Sequence, residues 1–212
     1  MTDLTMTHTP ERDLGVRQIL THPEGQPWTL QGFGMLRCDV MGREYRLHVW
    51  DNRYRTQHVS TIHDHPWDLE SLVLAGQIRN VILAERAAHH ELRANPHLGT
   101  HYGNVIEPGP AGAGEVSPPE LHRLRTASDD TYGPGEGYAQ PGKALHDSIA
   151  RTGTVTLVRR TNRQTEGING DRARVFWPKG DGQTWVDATP REATPEIVRD
   201  ICTVALAMWD QP

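Results

Sequence analysis

The sequence predicts an all-β-dominated fold, a barrel or sandwich of many short strands with one helix near each end. Three observations predict it. Between Trp28 and Leu83 apolar residues recur with period two, and strand character returns in three runs after residue 135. Glycine and proline, 20 and 15 of the 212 residues, punctuate those runs at short intervals. Two segments with helical capping signals, at residues 9–21 and 194–210, stand outside the strands.

The first helix opens with Thr9 as its N-cap and Pro10 at its first position, and Leu14, Ile19 and Leu20 give it an incomplete apolar face. In "EYRLHVW", Tyr45, Leu47 and Val49 alternate with Arg46, His48 and Trp50, as on a strand with one buried face. "HVSTIHDH", "ESLVLAG" and "QIRNVILAE" read as further strands. Apart from short runs at Val105-Ile106 and "ELHRLRT", residues 86–135 are poor in periodicity and rich in Gly, Pro, His and Ala, and read mostly as an irregular insertion. "GYAQPGK", "TVTLVRR" and "ARVFWP" restore strand character. Thr194 then caps a helix whose first residue is Pro195, with Ile197, Ile201, Val204 and Met208 along one face. The chain, 1–212, is expected to form one domain with its barrel core over residues 28–186.

Charge and composition argue against several function classes. A net charge of −5, from 22 basic and 27 acidic residues, gives no general attraction to nucleic acid or anionic membrane. The run "RRTNR" is too short to reverse that expectation. The N-terminal "MTDLTMTHTPERD" lacks the apolar segment of a secretory signal, and no apolar run approaches the roughly 20 residues needed to span a bilayer. Cys38 and Cys202 each lie in an apolar pattern, as buried thiols of a reducing compartment do. A cytoplasmic protein acting on a small-molecule substrate is expected, with no nucleic acid or membrane partner; a homodimer is compatible with the sequence.

The chemistry-bearing residues are histidines. His63 and His65 in "STIHDHPWDLE" stand two apart, so on a strand they share a face, and neutral imidazoles converging from rigid elements are what a divalent transition metal requires. Glu70 follows. "GEGYAQPGKALH" places a turn between strands and delivers His146 at the start of the next one. The competing reading is a polar turn in a chain with 12 histidines. His89, His90, His97 and His101 fall in the irregular stretch, where solvated loop residues outweigh a second metal site.

Taken together, the two stretches resemble the metal-binding motifs of the cupin superfamily over residues 45–160. His63, His65 and Glu70 match the first motif, although five residues rather than six separate Glu70 from Gly76. Gly135, Pro141 and His146 match the second, with Gly142 one place early. The resemblance implies a double-stranded β-helix (jelly-roll) barrel with a metal held by His63, His65, His146 and Glu70, or by the three histidines alone if Leu69 takes the carboxylate's place. Within the superfamily, "LHVW…STIHDH" is similar to the cysteine dioxygenase group, which binds ferrous iron through three histidines. That group's Ser-x-His-x-Tyr strand falls on Thr156, Val158 and Arg160, so its catalytic histidine and tyrosine are absent and thiol dioxygenation does not follow.

Arg160 shares a strand face with Val158 and Thr156 and reads either as a bidentate clamp for an anionic substrate or as a rim residue. Arg46 and His48 line the cavity if the apolar face of their strand packs outward against a helix; otherwise they are surface residues. Tyr138 is a candidate hydrogen-bond donor to a bound ligand, or a packing residue. The leading expectation is a mononuclear Fe(II) cupin oxygenase or dioxygenase acting on a small polar, possibly anionic molecule. The alternatives are a Zn, Mn or Ni isomerase or lyase, and a non-catalytic small-molecule-binding cupin.

Overall fold

A computed structural model describes residues 6–7, 9–41, 44–57, 59–86, 89–106, 117–163, 171–180 and 190–210. Helix α1 (Pro10–Thr21) starts where Thr9 Oγ1 accepts from the Arg12 N–H at 3.3 Å. Strands β1 (Thr29–Gln31), β2 (Phe33–Val40), β3 (Tyr45–Arg55), β4 (Ile62–His63), β5 (Asp68–Ala75) and β6 (Ile78–Glu85) follow. Next come α2 (His89–Ala94), β7 (His101–Ile106), β8 (Glu120–His122) and β9 (Leu124–Tyr132). The chain continues through β10 (Gly137–Gln140), β11 (Leu145–Ala150), β12 (Val155–Thr161), β13 (Ala173–Pro178) and β14 (Arg191–Glu192). It reaches α3 (Pro195–Trp209), capped by Thr194.

The strands form two antiparallel sheets, one of them curled into a half-barrel. Sheet one runs β10-β5-β12-β3-β2-β1-β14 and sheet two runs β8-β7-β13-β4-β11-β6-β9. The chain changes sheet at almost every step from β3 to β6 and again from β10 to β14, so the two stretches wind through both layers in the same way.

Sheet one has two unlike buried faces. Its outer face carries Leu36, Cys38, Val40, Leu47, Val49, Leu72, Leu74, Val155 and Leu157, packed on Val16 and Leu20 of α1 and on Val198, Ile201, Cys202 and Ala205 of α3. Period-two strands deliver these residues to one side, and the opposite residues turn to the interior between the sheets. The helix faces differ from the expected ones. Leu14 is 65% exposed and Val16 replaces it in the core, and the buried stripe of α3 is Val198, Ile201, Cys202 and Ala205, at i, i+3, i+4 and i+7. Small Cys202 and Ala205 suit a helix lying close on a sheet. Both cysteines are buried free thiols, and burial pushes each up to about 12.

The described residues within 86–135 are not mainly irregular. They hold α2, β7, β8 and nine-residue β9, which pairs with β6 from Ile78↔Tyr132 to Glu85↔Leu124. β9 was illegible because it is an edge strand with its side chains largely in solvent; its backbone pairs, while "LRTASDDTY" has no apolar face to bury. Conversely, "HVSTIHDH" is strand only at Ile62–His63 and a bridge at Val59. Its hydroxyl and carboxylate side chains hold neighbouring backbone instead: Ser60 Oγ donates to Phe176 O and accepts from the Ile62 N–H.

Gly76, the motif glycine, turns β5 into β6 at φ 73°, and a Cβ there would lie 2.6 Å from Thr154 Oγ1 and 2.8 Å from Thr154 Cα. Thr154 in turn ties the turn down, accepting from the Gln77 N–H at 3.1 Å and donating to its carbonyl at 3.0 Å. Gly76→Ala should therefore lower unfolding stability by roughly 2 kcal/mol. A denaturant midpoint equal to the parent's would contradict this placement.

Candidate metal centre

Sheet two builds the site. β11 and β4 pair antiparallel with His146 directly opposite His63, and β13 pairs the other edge of β4 with Val175 opposite His63. Directly opposed residues project to the same face, so His63 and His146 meet, with ring centroids 4.5 Å apart. His65 lies past the end of β4, so strand alternation alone does not orient it. A latch does: between the two histidines, fully buried Asp64 accepts from the Arg174 N–H at 2.8 Å and Nε–H at 2.7 Å, while its own N–H donates to Arg174 O at 3.0 Å. The Lys143 N–H donates to His65 O at 2.7 Å, and Trp67 stacks on the His65 ring at 5.1 Å and 11°.

The ligand nitrogens of His63, His65 and His146 all lie within 4.8 Å of one another, and this group could hold a metal ion. His63 Nδ1–H donates to Thr61 O at 2.7 Å. His146 Nδ1–H donates to Ala144 O at 3.0 Å and lies 2.9 Å from the Gln140 side-chain amide. The two bonds to backbone carbonyls fix the tautomer that leaves Nε2 as a lone pair. His63 Nε2 and His65 Nε2 are 3.2 Å apart. Two imidazole nitrogens bound to one ion at about 2.0–2.1 Å lie about 2.9–3.4 Å apart in octahedral or tetrahedral geometry, so the spacing fits a shared cation. Burial, the largest cause for all three, lowers His63, takes His65 well below the ordinary imidazole value and brings His146 to about 3; neighbouring histidines lower the last two further. The three rings are thus neutral at physiological pH, as metal ligands must be.

The remaining sequence candidates fall in different places. Glu70 does not join the histidines. It sits between Leu69 and Ser71, which line the cavity, and its Oε2 accepts from the Met6 N–H at 3.1 Å. The reading in which Leu69 faces the histidines, leaving three imidazoles, fits this register. Tyr138 does line the cavity. Its phenol is pushed up by burial, opposed by hydrogen bonds with Ser71 and Ser148. Arg160 also lines the cavity, with Nη2 donating to Asp39 Oδ1 at 3.2 Å and its guanidinium 5.8 Å from the Trp67 ring. Arg159, on the other face, pairs with Glu44 at 2.8 Å. Because Leu47 and Val49 pack outward on the helices, Arg46 and His48 turn inward to the cavity rather than to solvent. His90 and His97 are exposed, and the side chain of His89 lies outside the described residues. Among the described residues, no second group of potential metal ligands accompanies the three histidines.

The histidines open onto a cavity of about 370 Å³ lined mainly by the inner face of sheet one. Sequence reasoning missed Arg37 in its wall and the Asp64–Arg174 latch. The alternation in "FGMLRCDV", with Leu36, Cys38 and Val40 against Met35, Arg37 and Asp39, was the available signal for Arg37. Nothing local could have paired Asp64 with a residue 110 positions away.

Fold and site together define a mostly β protein with a three-histidine candidate metal centre at the cavity wall. No family model matches the chain, and no curated protein matches it either. No helix among the described residues is long and apolar enough to cross a membrane.

His63→Ala should abolish tight divalent-metal binding while leaving the circular dichroism spectrum unchanged, since the largest apolar cluster lies on the far side of sheet one. Glu70→Gln should keep the parent's metal stoichiometry; loss of metal would place the carboxylate at the site after all. The latch has an acidic outer member. Arg174 Nη1 donates to Glu85 Oε2 at 3.0 Å, and His122 Nδ1–H donates to Glu85 Oε1 at 2.8 Å. Chiefly through His122, and then through Arg174, Glu85 is held down from 4.5 to about 2. Because the folded value is depressed, its stabilising contribution is present above about pH 4.5 and disappears as pH falls through about 2. Glu85→Gln should flatten the melting-temperature profile across that window, and a profile parallel to the parent's would refute it.

Proposed function

We propose that the protein is a mononuclear metal-dependent cupin, and that the metal is ferrous iron used for oxygenation of a small polar, anionic molecule. Three converging imidazoles, His146 buried and His63 and His65 half-buried, with no carboxylate among them are the observation that carries this reading. The winding of β3–β6 and β10–β13 through both sheets supports the jelly-roll assignment, as does the placement of His63 on β4 and His146 on β11. An ion held by three imidazoles keeps coordination positions for dioxygen and substrate and retains its full positive charge, which favours an anionic ligand beside it.

The chain's own residues prepare the site. The Asp64–Arg174 latch and the Thr61 and Ala144 carbonyls fix ring orientation and tautomer, which is the supporting shell a metal site requires. Met35, Trp50, Leu69 and Ile78 exclude bulk water from the cavity, and Tyr138 with Ser71 and Ser148 provides hydroxyls along one wall.

Anaerobic reconstitution, elemental analysis and oxygen-electrode assays test the proposal. About one iron per chain with uptake triggered by a small anion is the expected result. Retention of zinc, manganese or nickel without uptake would replace oxygenation by Lewis-acid chemistry. Failure to retain any divalent metal would overturn the metal reading and leave a binding protein.

A further inference from the structure

Three arginines line one end of the cavity. β2, β3 and β12 lie side by side, and the faces they turn away from the helices bring Arg37, Arg46 and Arg160 together around Asp39. Arg46 Nε donates to Asp39 Oδ1 at 3.0 Å and Arg160 Nη2 donates to the same oxygen at 3.2 Å. Arg37 makes its hydrogen bonds to neutral groups, Thr29 Oγ1 at 3.2 Å and Gln31 Oε1 at 3.4 Å. Asp64, the acid among the lining residues, is engaged by Arg174. Arg46 and Arg160 thus meet on the Asp39 carboxylate, and Arg37 stands beside them with neutral hydrogen-bond partners. Burial, and next the neighbouring Arg46 charge, lower Arg37 from 12.5 to about 9, the response of a cation short of counter-charge.

A second observation points the same way. Between the arginines and the histidine triad lie His48 and Thr156, opposed across β3 and β12, and Trp50 two residues further along β3. His48 Nε2, Thr156 Oγ1 and Trp50 Nε1 are closed off from solvent and have no hydrogen-bond partner among the described residues. Thr156 is 1% and Trp50 6% exposed. Buried polar atoms are rarely left without partners, and each such atom costs about 1–3 kcal/mol. Trp67 spans the same interval, with the Arg160 guanidinium over its ring and His65 stacked on it. Positive charge at one end, unpartnered polar atoms along the middle and three imidazoles at the other end describe a site built for a small anion with more than one polar group.

We propose that the cavity ligand is a compact dianion, a dicarboxylate or a phosphate monoester, whose charged groups are taken by Arg37, Arg46 and Arg160 and whose remainder reaches the three histidines. The inference rests on the cavity being the ligand site proposed above, and it does not depend on which metal the histidines hold.

Isothermal titration of the chelator-treated, metal-free protein at constant ionic strength tests it, with malonate, inorganic phosphate and acetate as probes. At least one dianion should bind roughly tenfold more tightly than acetate, the effect of one added charge-assisted hydrogen bond. Preference for malonate would identify the dicarboxylate class, and preference for phosphate the phosphoryl class. Arg37→Gln should weaken the preferred dianion by roughly tenfold while iron stoichiometry stays at the parent's value. The ligand-free melting temperature of this variant should equal or exceed the parent's, because a buried like charge is removed. If it does not fold, Arg37→Lys, which keeps the charge but loses the planar fork, should still weaken dianion binding. Equal affinity for acetate and dianions, no binding of any probe, or a foldable Arg37 variant that binds as well as the parent would overturn the inference. Retained iron and oxygen uptake with no dianion preference would leave the metal reading standing without it; dianion binding in a chain that retains no metal would do the reverse.

Discussion

The packing of α1 and α3 on the outer face of sheet one is the constraint on which the rest depends. Two helices supply Val16, Leu20, Val198, Ile201, Cys202 and Ala205 to cover one face of β2, β3, β5 and β12 completely. With that apolar area removed from water, the main hydrophobic stabilisation is secured outside the space between the sheets. The inner face then needs only a smaller apolar cluster, which includes Phe33, Met35 and Trp50. It carries arginines, histidines, serines and a threonine, which a sandwich whose only core lay between its sheets would tolerate poorly.

The polar interior is held by connections of long sequence separation. Asp64 joins Arg174 across 110 residues, and Arg174 continues to Glu85 and from there to His122, so β4, β6, β8 and β13 are tied together at the histidine end of the cavity. A buried carboxylate bonded to a backbone N–H and to a guanidinium gives orientation more than stability, since desolvation offsets much of the attraction. Orientation is what the site needs. His65 lies on a turn, and the fixed Asp64 beside it determines that both imidazoles face His146.

The two ends of the cavity are electrostatically related. Burial keeps the three ligand imidazoles neutral, so a bound divalent ion would bring its whole charge into a space already holding three guanidiniums around Asp39. His48 between them is held neutral by burial first and then by Arg46, Arg37 and Arg160. With such an ion bound, the space would favour an anion that neutralises both ends, which links the proposed metal to the proposed ligand class through charge.

The sequence by itself determined those features governed by local periodicity and local chemistry. Period-two alternation located most of the strands, Thr9–Pro10 and Thr194–Pro195 marked the starts of both terminal helices, and the spacing of His63, His65 and His146 marked the candidate metal group. What it could not determine was anything decided by which face of a strand meets which partner. Glu70 and Leu69 differ by one position, and only the pairing of β5 with β10 and β12 sets which of them faces the histidines. Arg46 and His48 read equally as surface or cavity residues, and only the helices covering the opposite face of their strand turn them inward. β9 carries no pattern because an edge strand is held by its backbone, and backbone hydrogen bonds leave no trace in residue type. The Asp64–Arg174 latch joins residues that are distant in the chain and ordinary in their own neighbourhoods; tertiary structure alone brought them within 2.7 Å.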